Sequence, residues 1–184
     1  MKMYRLKAAL RGISPMVWRR LETDESTSLA QLHHILQAVF QWDNDYLHQF
    51  HIYGKDYGIG YVGGLSFVDN AYKVYFRDFE FDIGDKFTYE YNFFAHWLVD
   101  IRVENITQTT SDFQPRCIKG NGMHGVNKHD IADAKLNLLH AVAKIDSTTT
   151  VADLLPEIEA YQAVMFNRHL INQAIQSGLE EMNE

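Results

Sequence analysis

The side chains able to ligate a metal, move a proton or attack an electrophile are sparse in this chain: His48, His51, His96, Cys117, His124, His129 and Asp130. Four residues separate His124 from His129, a spacing seen among zinc ligands. No second pair of histidines or cysteines stands at a matching distance. Cys117 is the single cysteine, which excludes an internal disulfide framework and a multi-cysteine zinc site and suits a reducing cytoplasm. With a distant histidine it could form a nucleophile pair, although a lone cysteine is more often an unreactive small hydrophobe. Five glycines fall between Gly54 and Gly64, with Tyr57 and Tyr61 among them. That segment reads as a loop, because it lacks the lysine of a phosphate-binding loop. Nucleophile-elbow, zincin and dinucleotide-binding patterns are absent as well.

A scaffold must bring such residues together, and its clearest element is the stretch Phe87–Ile106. Phe87, Tyr89, Tyr91 and Phe93 alternate with Thr88, Glu90 and Asn92. After Phe94-Ala95-His96, Trp97, Val99, Ile101 and Val103 alternate with Leu98, Asp100, Arg102 and Glu104. This period predicts a hairpin with one face in the core and the other toward water or a partner. Aromatic and β-branched residues suit such a half-buried surface. The connection holds no glycine, so its turn type is not readable from composition.

Earlier in the chain, Tyr4, Leu6, Ala8 and Leu10 alternate with Arg5 and Lys7, predicting a first strand; Val17 to Leu21 reads as a second. Arg19 and Arg20 then point to opposite faces. Ser28 with Gln31 forms a capping box, and Leu29, Leu32, Leu36, Val39 and Phe40 make one apolar helical stripe. His33 lies beside that stripe and is expected to be a core histidine bonded to a carbonyl. Tyr46 to Tyr53 predicts a third strand with His48, Phe50 and Ile52 on one face, and Tyr72 to Phe76 a further short one. Residues 107–128 read as a polar loop, and about 130–182 as helices. The expected fold is α+β: a β-grasp-like mixed sheet in the order strand-strand-helix-strand and further strands, with one helix packed on a face. One domain, 1–184, has its α+β core in about residues 1–110.

The net charge is −7, unevenly spread: six of the 17 basic residues lie in the first twenty positions, which hold no acid. An acidic body argues against non-specific binding of a phosphate backbone. Nucleic acid is therefore expected only through the basic N-terminal hairpin, at Arg5, Lys7, Arg19 and Arg20. No apolar run is long enough to span a bilayer, and the N-terminus lacks the apolar core of a signal peptide. A cytoplasmic protein without membrane association is expected.

Several segments together resemble one family. Pro15-Met-Val-Trp18-Arg19-Arg20, Leu29-Ala-Gln-Leu32-His33, Trp42-Asp43 and Leu47-His48-Gln-Phe50 look like the plasmid pRiA4b ORF-3-like family, whose members include passenger proteins of a bacterial insertion element. Tyr89-Glu-Tyr91-Asn92-Phe93, Trp97 and Pro115-Arg116-Cys117 extend the match. The resemblance implies an α+β fold, an intracellular bacterial or archaeal setting, and no established activity.

Departures from the family pattern bear on chemistry. Tyr46 stands where the family has a histidine in His-Leu-His, and Asn92-Phe93-Phe94-Ala95 where it has Asp-Phe-Gly-Asp. Val99 replaces a histidine, and Gly122-Met123-His124-Gly125 replaces Pro-Pro-Glu-Asp. The family's residues are of the types that ligate hard metals or exchange protons; Ala95 and Val99 can do neither. Two expectations follow. The first is a non-catalytic binding or accessory module that holds an unknown protein or small molecule, with no cofactor or metal. Its contacts would come from His48, Tyr89, Tyr91, Asn92, His96, Trp97 and Cys117, or from Tyr57 and Tyr61. The second is a metal-assisted hydrolase or nuclease-like enzyme with its site near His48, Asn92 and His96.

Overall fold

The computed structural model describes residues 1–14, 16–108, 110, 113–122, 128–163 and 165–182. The predicted hairpin is its centre. Strands β5 (Lys86–Tyr91) and β6 (Trp97–Gln108) pair antiparallel with Tyr91 opposite Trp97. The turn between them closes without glycine because Asn92 and His96 take left-handed conformations, at φ 51° and 50°. Asn92 eases its own strain: its carbonyl and its side-chain oxygen both accept from the Ala95 amide.

β1 (Lys2–Leu10) pairs with β6 on one side and with β2 (Trp18–Asp24) on the other. Helix α1 (Leu29–Phe40) follows, started by the expected capping box: the Gln31 amide donates to Ser28 Oγ, and the Ser28 amide to Gln31 Oε1. β3 (His48–Ile52) and the short β4 (Lys55–Tyr57) come next, then β5 and β6. β7 (Arg116–Asn121) completes a seven-stranded sheet in the order β4-β3-β5-β6-β1-β2-β7. Every pairing is antiparallel, which corrects the mixed sheet expected above. The physical reason is the crossover through α1. It carries β3 beyond β1, and the later β5–β6 hairpin fills the space between them, so β3 meets β5 and not β1.

The Leu29–Phe40 stripe lies on the core face of the sheet, and Leu6, Leu21, Phe50, Tyr89, Val99 and Val103 beneath it are buried. The segment expected to be a strand at Tyr72–Phe76 pairs only at Tyr75, in one antiparallel bridge to Ser28, before a short 3-10 helix starts at Phe76. The carbonyls of Ala71, just before it, and of Val74 accept the amides of Ala30 and Leu29, serving the open first turn of α1. Phe76 then enters an aromatic cluster with Tyr4, Phe81 and Phe87.

Helices α2 (Lys128–Ala143) and α3 (Val151–Ala163) pack on each other. α4 (Arg168–Glu181) packs on α1 and β7 through Ile171, Ile175 and Leu179. Asn172 ties it down, accepting from the Cys117 amide at 2.7 Å and donating to the Cys117 carbonyl at 3.0 Å. β2 meets β7 at a close approach. A Cβ added to Gly120 would sit 2.6 Å from the Phe166 ring and 2.9 Å from Arg19 Cδ. No described helix is long and apolar enough to cross a membrane.

Candidate functional site

β3 points His48 inward with Phe50 and Ile52, as its alternation requires. There the His48 ring stacks on His33 of α1, centroids 3.6 Å apart and planes within 15°. His33 Nε2 lies 2.7 Å from Asn44 Oδ1, an acceptor, so that nitrogen carries the proton. His33 Nδ1 then accepts from the Tyr89 hydroxyl at 2.8 Å, and the same hydroxyl accepts from Gln37 Nε2 at 2.8 Å. The partner expected for His33 was a carbonyl, and the Asn44 side chain supplies it. His48 Nε2 accepts from the Ile59 amide at 3.3 Å, leaving the proton on Nδ1, which is buried with no hydrogen-bond partner among the described residues. Burial, and then the neighbouring histidines, push His33 down to about 2 and His48 to about 3. Both rings are therefore neutral at pH 7 and buried, at 0% and 1% exposure.

The aromatic sheet face proposed for partner binding is covered. Tyr89, Tyr91 and Trp97 are 0%, 2% and 1% exposed. Trp42, just after α1, stacks on Tyr91 at 5.0 Å and on Phe40 at 4.9 Å, and lies 5.6 Å from Trp97. Tyr91 donates to Asp43 Oδ1 at 2.6 Å. Alternation identified the residues that share a face; α1 decides that this face is the core.

The remaining site residues do not converge. Asn92 shapes the β5–β6 turn. The exposed His96 ring lies 3.4 Å from Glu90, on the face of β5 opposite to Tyr89 and Tyr91, and so across the sheet from His48. Cys117 is on β7, with four strands between it and His48. Its thiol is 1% exposed, and burial raises it to about 11. His51 is exposed, with Nδ1 2.7 Å from Asp56. His124 lies outside the described residues, as do the side chains of His129 and Asp130. Among the described residues no three His, Cys, Asp or Glu side chains are grouped to hold a metal ion.

The basic hairpin also separates. Arg19 is fully buried between the rings of Phe40 and Phe166 and donates to the carbonyls of Val39, Trp18 and Asn121. Desolvation lowers it to about 10. Arg5 and Arg116 both hold the buried Glu22 carboxylate, at 2.7 and 2.8 Å, and Arg20 holds Glu104 at 2.5 Å. Burial alone would raise Glu22, but the two guanidiniums outweigh it and the group is lowered. Of the four basic residues named from sequence, Arg5 and Arg20 hold carboxylates, Arg19 is spent on backbone carbonyls, and Lys7 makes no ion pair among the described residues; it lies 5.4 Å above the Trp18 ring.

Register reveals what sequence order hid. On the face away from α1, Lys86 stands opposite Arg102, Arg102 opposite Lys7, Lys7 opposite Arg20, and Arg20 opposite Lys119. Five strands thus contribute one cation each to a single row. Lys86, Arg102 and Lys7 make no ion pair among the described residues, and all three line an open cleft of about 650 Å³ with His51, Tyr53 and Thr88. The one carboxylate in the cleft, Asp100, is already held by Arg11 at 3.0 Å. Lys86 and Arg102 escaped the sequence reading because they are distant from each other and from Lys7 along the chain. Only the pairing of β5, β6 and β1 makes them neighbours.

Comparison with known proteins agrees with this architecture. The family model described as plasmid pRiA4b ORF-3-like protein matches residues 2–168, and the chain belongs to that family. It is 30% identical over 122 residues to the uncharacterized protein y4hQ of Sinorhizobium fredii, covering 64% of this chain and 61% of that protein. The match thus spans about three fifths of that relative's length. The crystal structure of MM3350, a protein of unknown function from Methanosarcina mazei Go1, is similar with a TM-score of 0.61 at 24% identity, over 86% of this chain and 87% of that one. At that identity the likeness is one of fold.

Proposed function

We propose that this member of the plasmid pRiA4b ORF-3-like family is a non-catalytic binding or accessory module, and that it recognises its partner on the open face of the sheet. The observation that carries this reading is the division of polar residues between the two faces. On the core face, His33, His48 and Cys117 are buried and hydrogen-bonded into the scaffold. On the open face, a wide cleft presents Lys7, Lys86 and Arg102, which make no ion pair among the described residues. Groups that react need access and a tuned proton; groups that recognise need exposure and unspent charge. The plasmid setting in the family's name and a mobile-element association are part of the same proposal, as is a cytoplasmic location, which the free, buried Cys117 suits.

The test sets this against the metal-dependent hydrolase with a site at His48, Asn92 and His96. Calorimetric titration with Mg²⁺, Mn²⁺ and Zn²⁺ is combined with assays on activated phosphodiesters and single-stranded DNA. The expected result is no turnover, and the same result for Asn92→Ala and His96→Ala. Metal-dependent hydrolysis that Asn92→Ala or His96→Ala abolishes would overturn the module reading.

A further inference from the structure

We infer that the Lys86–Arg102–Lys7 row is a binding site for a compact polyphosphate, either a free inorganic chain or the phosphates of a nucleotide. The inference rests on the module reading and names its ligand class. Three cations occupy directly opposed positions on β5, β6 and β1. Each alternates with a buried neighbour, Phe87, Ile101 and Val103, or Leu6 and Ala8, so all three side chains leave the same face of the sheet. Adjacent strands lie about 4.8 Å apart, so the row is about 10 Å long. Like charges placed directly opposite each other destabilise a sheet. This sheet keeps three together without an ion pair among the described residues, while the neighbouring Arg5, Arg11 and Arg20 are each matched with a carboxylate.

The surroundings define the ligand. Among the described residues Asp100 is the one acid lining the cleft, and its carboxylate is already paired with Arg11. Beyond the row, Glu104 on Arg20 and Asp56 on His51 place negative charge on either side. An extended polyanion would have to cross these acids, and the chain as a whole carries −7. The cleft volume of about 650 Å³ falls in the range of small-molecule sites. A line of cations of this length matches a run of phosphates, each accepting charge-assisted hydrogen bonds. Thr88 adds a hydroxyl, and the exposed Tyr53 ring at the rim, its hydroxyl donating to Asp85, offers an apolar surface to whatever the phosphates carry.

The experiment is calorimetric titration of the full chain at low and moderate salt. The probes are orthophosphate, inorganic triphosphate, ATP and a single-stranded oligonucleotide. The variants are Lys7→Gln, Lys86→Gln and Arg102→Gln, with Lys73→Gln as a distant control and circular dichroism to confirm folding. Inorganic triphosphate or ATP should bind more tightly than orthophosphate, and each row variant should weaken binding by about tenfold or more. Lys73→Gln should change nothing. Equal affinity for the two ligands assigns binding to the phosphate chain; tighter ATP binding adds a contact to the nucleoside. Absence of binding by either overturns the inference, as does preference for the oligonucleotide, or binding that survives all three substitutions. Release of orthophosphate from ATP, lost with Arg102→Gln, would keep the site and overturn the non-catalytic reading.

Discussion

Lowering the pH from about 7 to about 4.5 should destabilise the protein through the stacked pair His33 and His48. Both rings are neutral in the native state, with folded values of about 2 and about 3 against an ordinary value of 6.5. The unfolded chain therefore takes up two protons that the native state refuses. Stability from these groups is fully present above pH 6.5 and is lost as pH falls below it. Each unit of pH costs about 1.4 kcal/mol per ring, so two units cost about 3 kcal/mol for one ring and about 5 kcal/mol for the pair. A domain of this size should lose roughly 10–20 °C of thermal midpoint. The lowered carboxylates Glu22, Glu104 and Asp43 act in the same direction, mainly at lower pH, because their ordinary values lie at 4.5 and 3.8. The interval from pH 6.5 down to about 4.5 therefore isolates the histidines. The assay is urea denaturation at half-unit steps of pH. His48→Phe keeps a flat ring on His33 and should remove about one ring's share of the slope of stability against pH, whatever it does to absolute stability; His34, also lowered by burial, adds to the slope that remains. A flat profile above pH 4.5, or a native-state imidazole resonance of His33 or His48 that titrates near 6.5, would refute the reasoning.

Three further outcomes are expected. Glu22→Gln leaves Arg5 and Arg116 facing each other across a neutral amide and should cost about 2–4 kcal/mol in urea denaturation at pH 7, less in high salt. Gly120→Ala drives a methyl into Phe166 and should cost about 1–3 kcal/mol, most of it recovered by Phe166→Leu in the same chain. Cys117, raised to about 11, should react with a disulfide reagent at mildly alkaline pH at least about a hundredfold more slowly in the native protein than in urea.

The hairpin of β5 and β6, the α1 capping box, the inward face of β3 and the opposed faces of Arg19 and Arg20 were legible because each depends on local periodicity or a local hydrogen bond. The turn before β4 was not. Tyr53 and Gly54 are both left-handed, at φ 49° and 78°, but tyrosine at that first position hides the usual asparagine–glycine signal. β7 was read as loop because an edge strand with glycine and asparagine carries little alternation, and its order comes from α4 through Asn172 and Gln176. The exposure of the site residues was hidden for a different reason. Tyr89, Tyr91 and Trp97 look like a recognition surface until α1 is laid on them. The cations of the open face become a group only through the register of strands that are far apart in the chain.

That register also sets the order of assembly. β1 must reach from Lys2 to Gln108 to find its partner β6, so the middle of the sheet closes only after more than half the chain exists. Until then the nascent β1–β2 hairpin shows the ribosome exit a bare strand edge, with hydrogen-bonding groups on offer to any other chain. Such distant pairing makes for slow folding, and early release of the first hundred or so residues should yield a protease-sensitive, self-associating fragment in place of a smaller native unit.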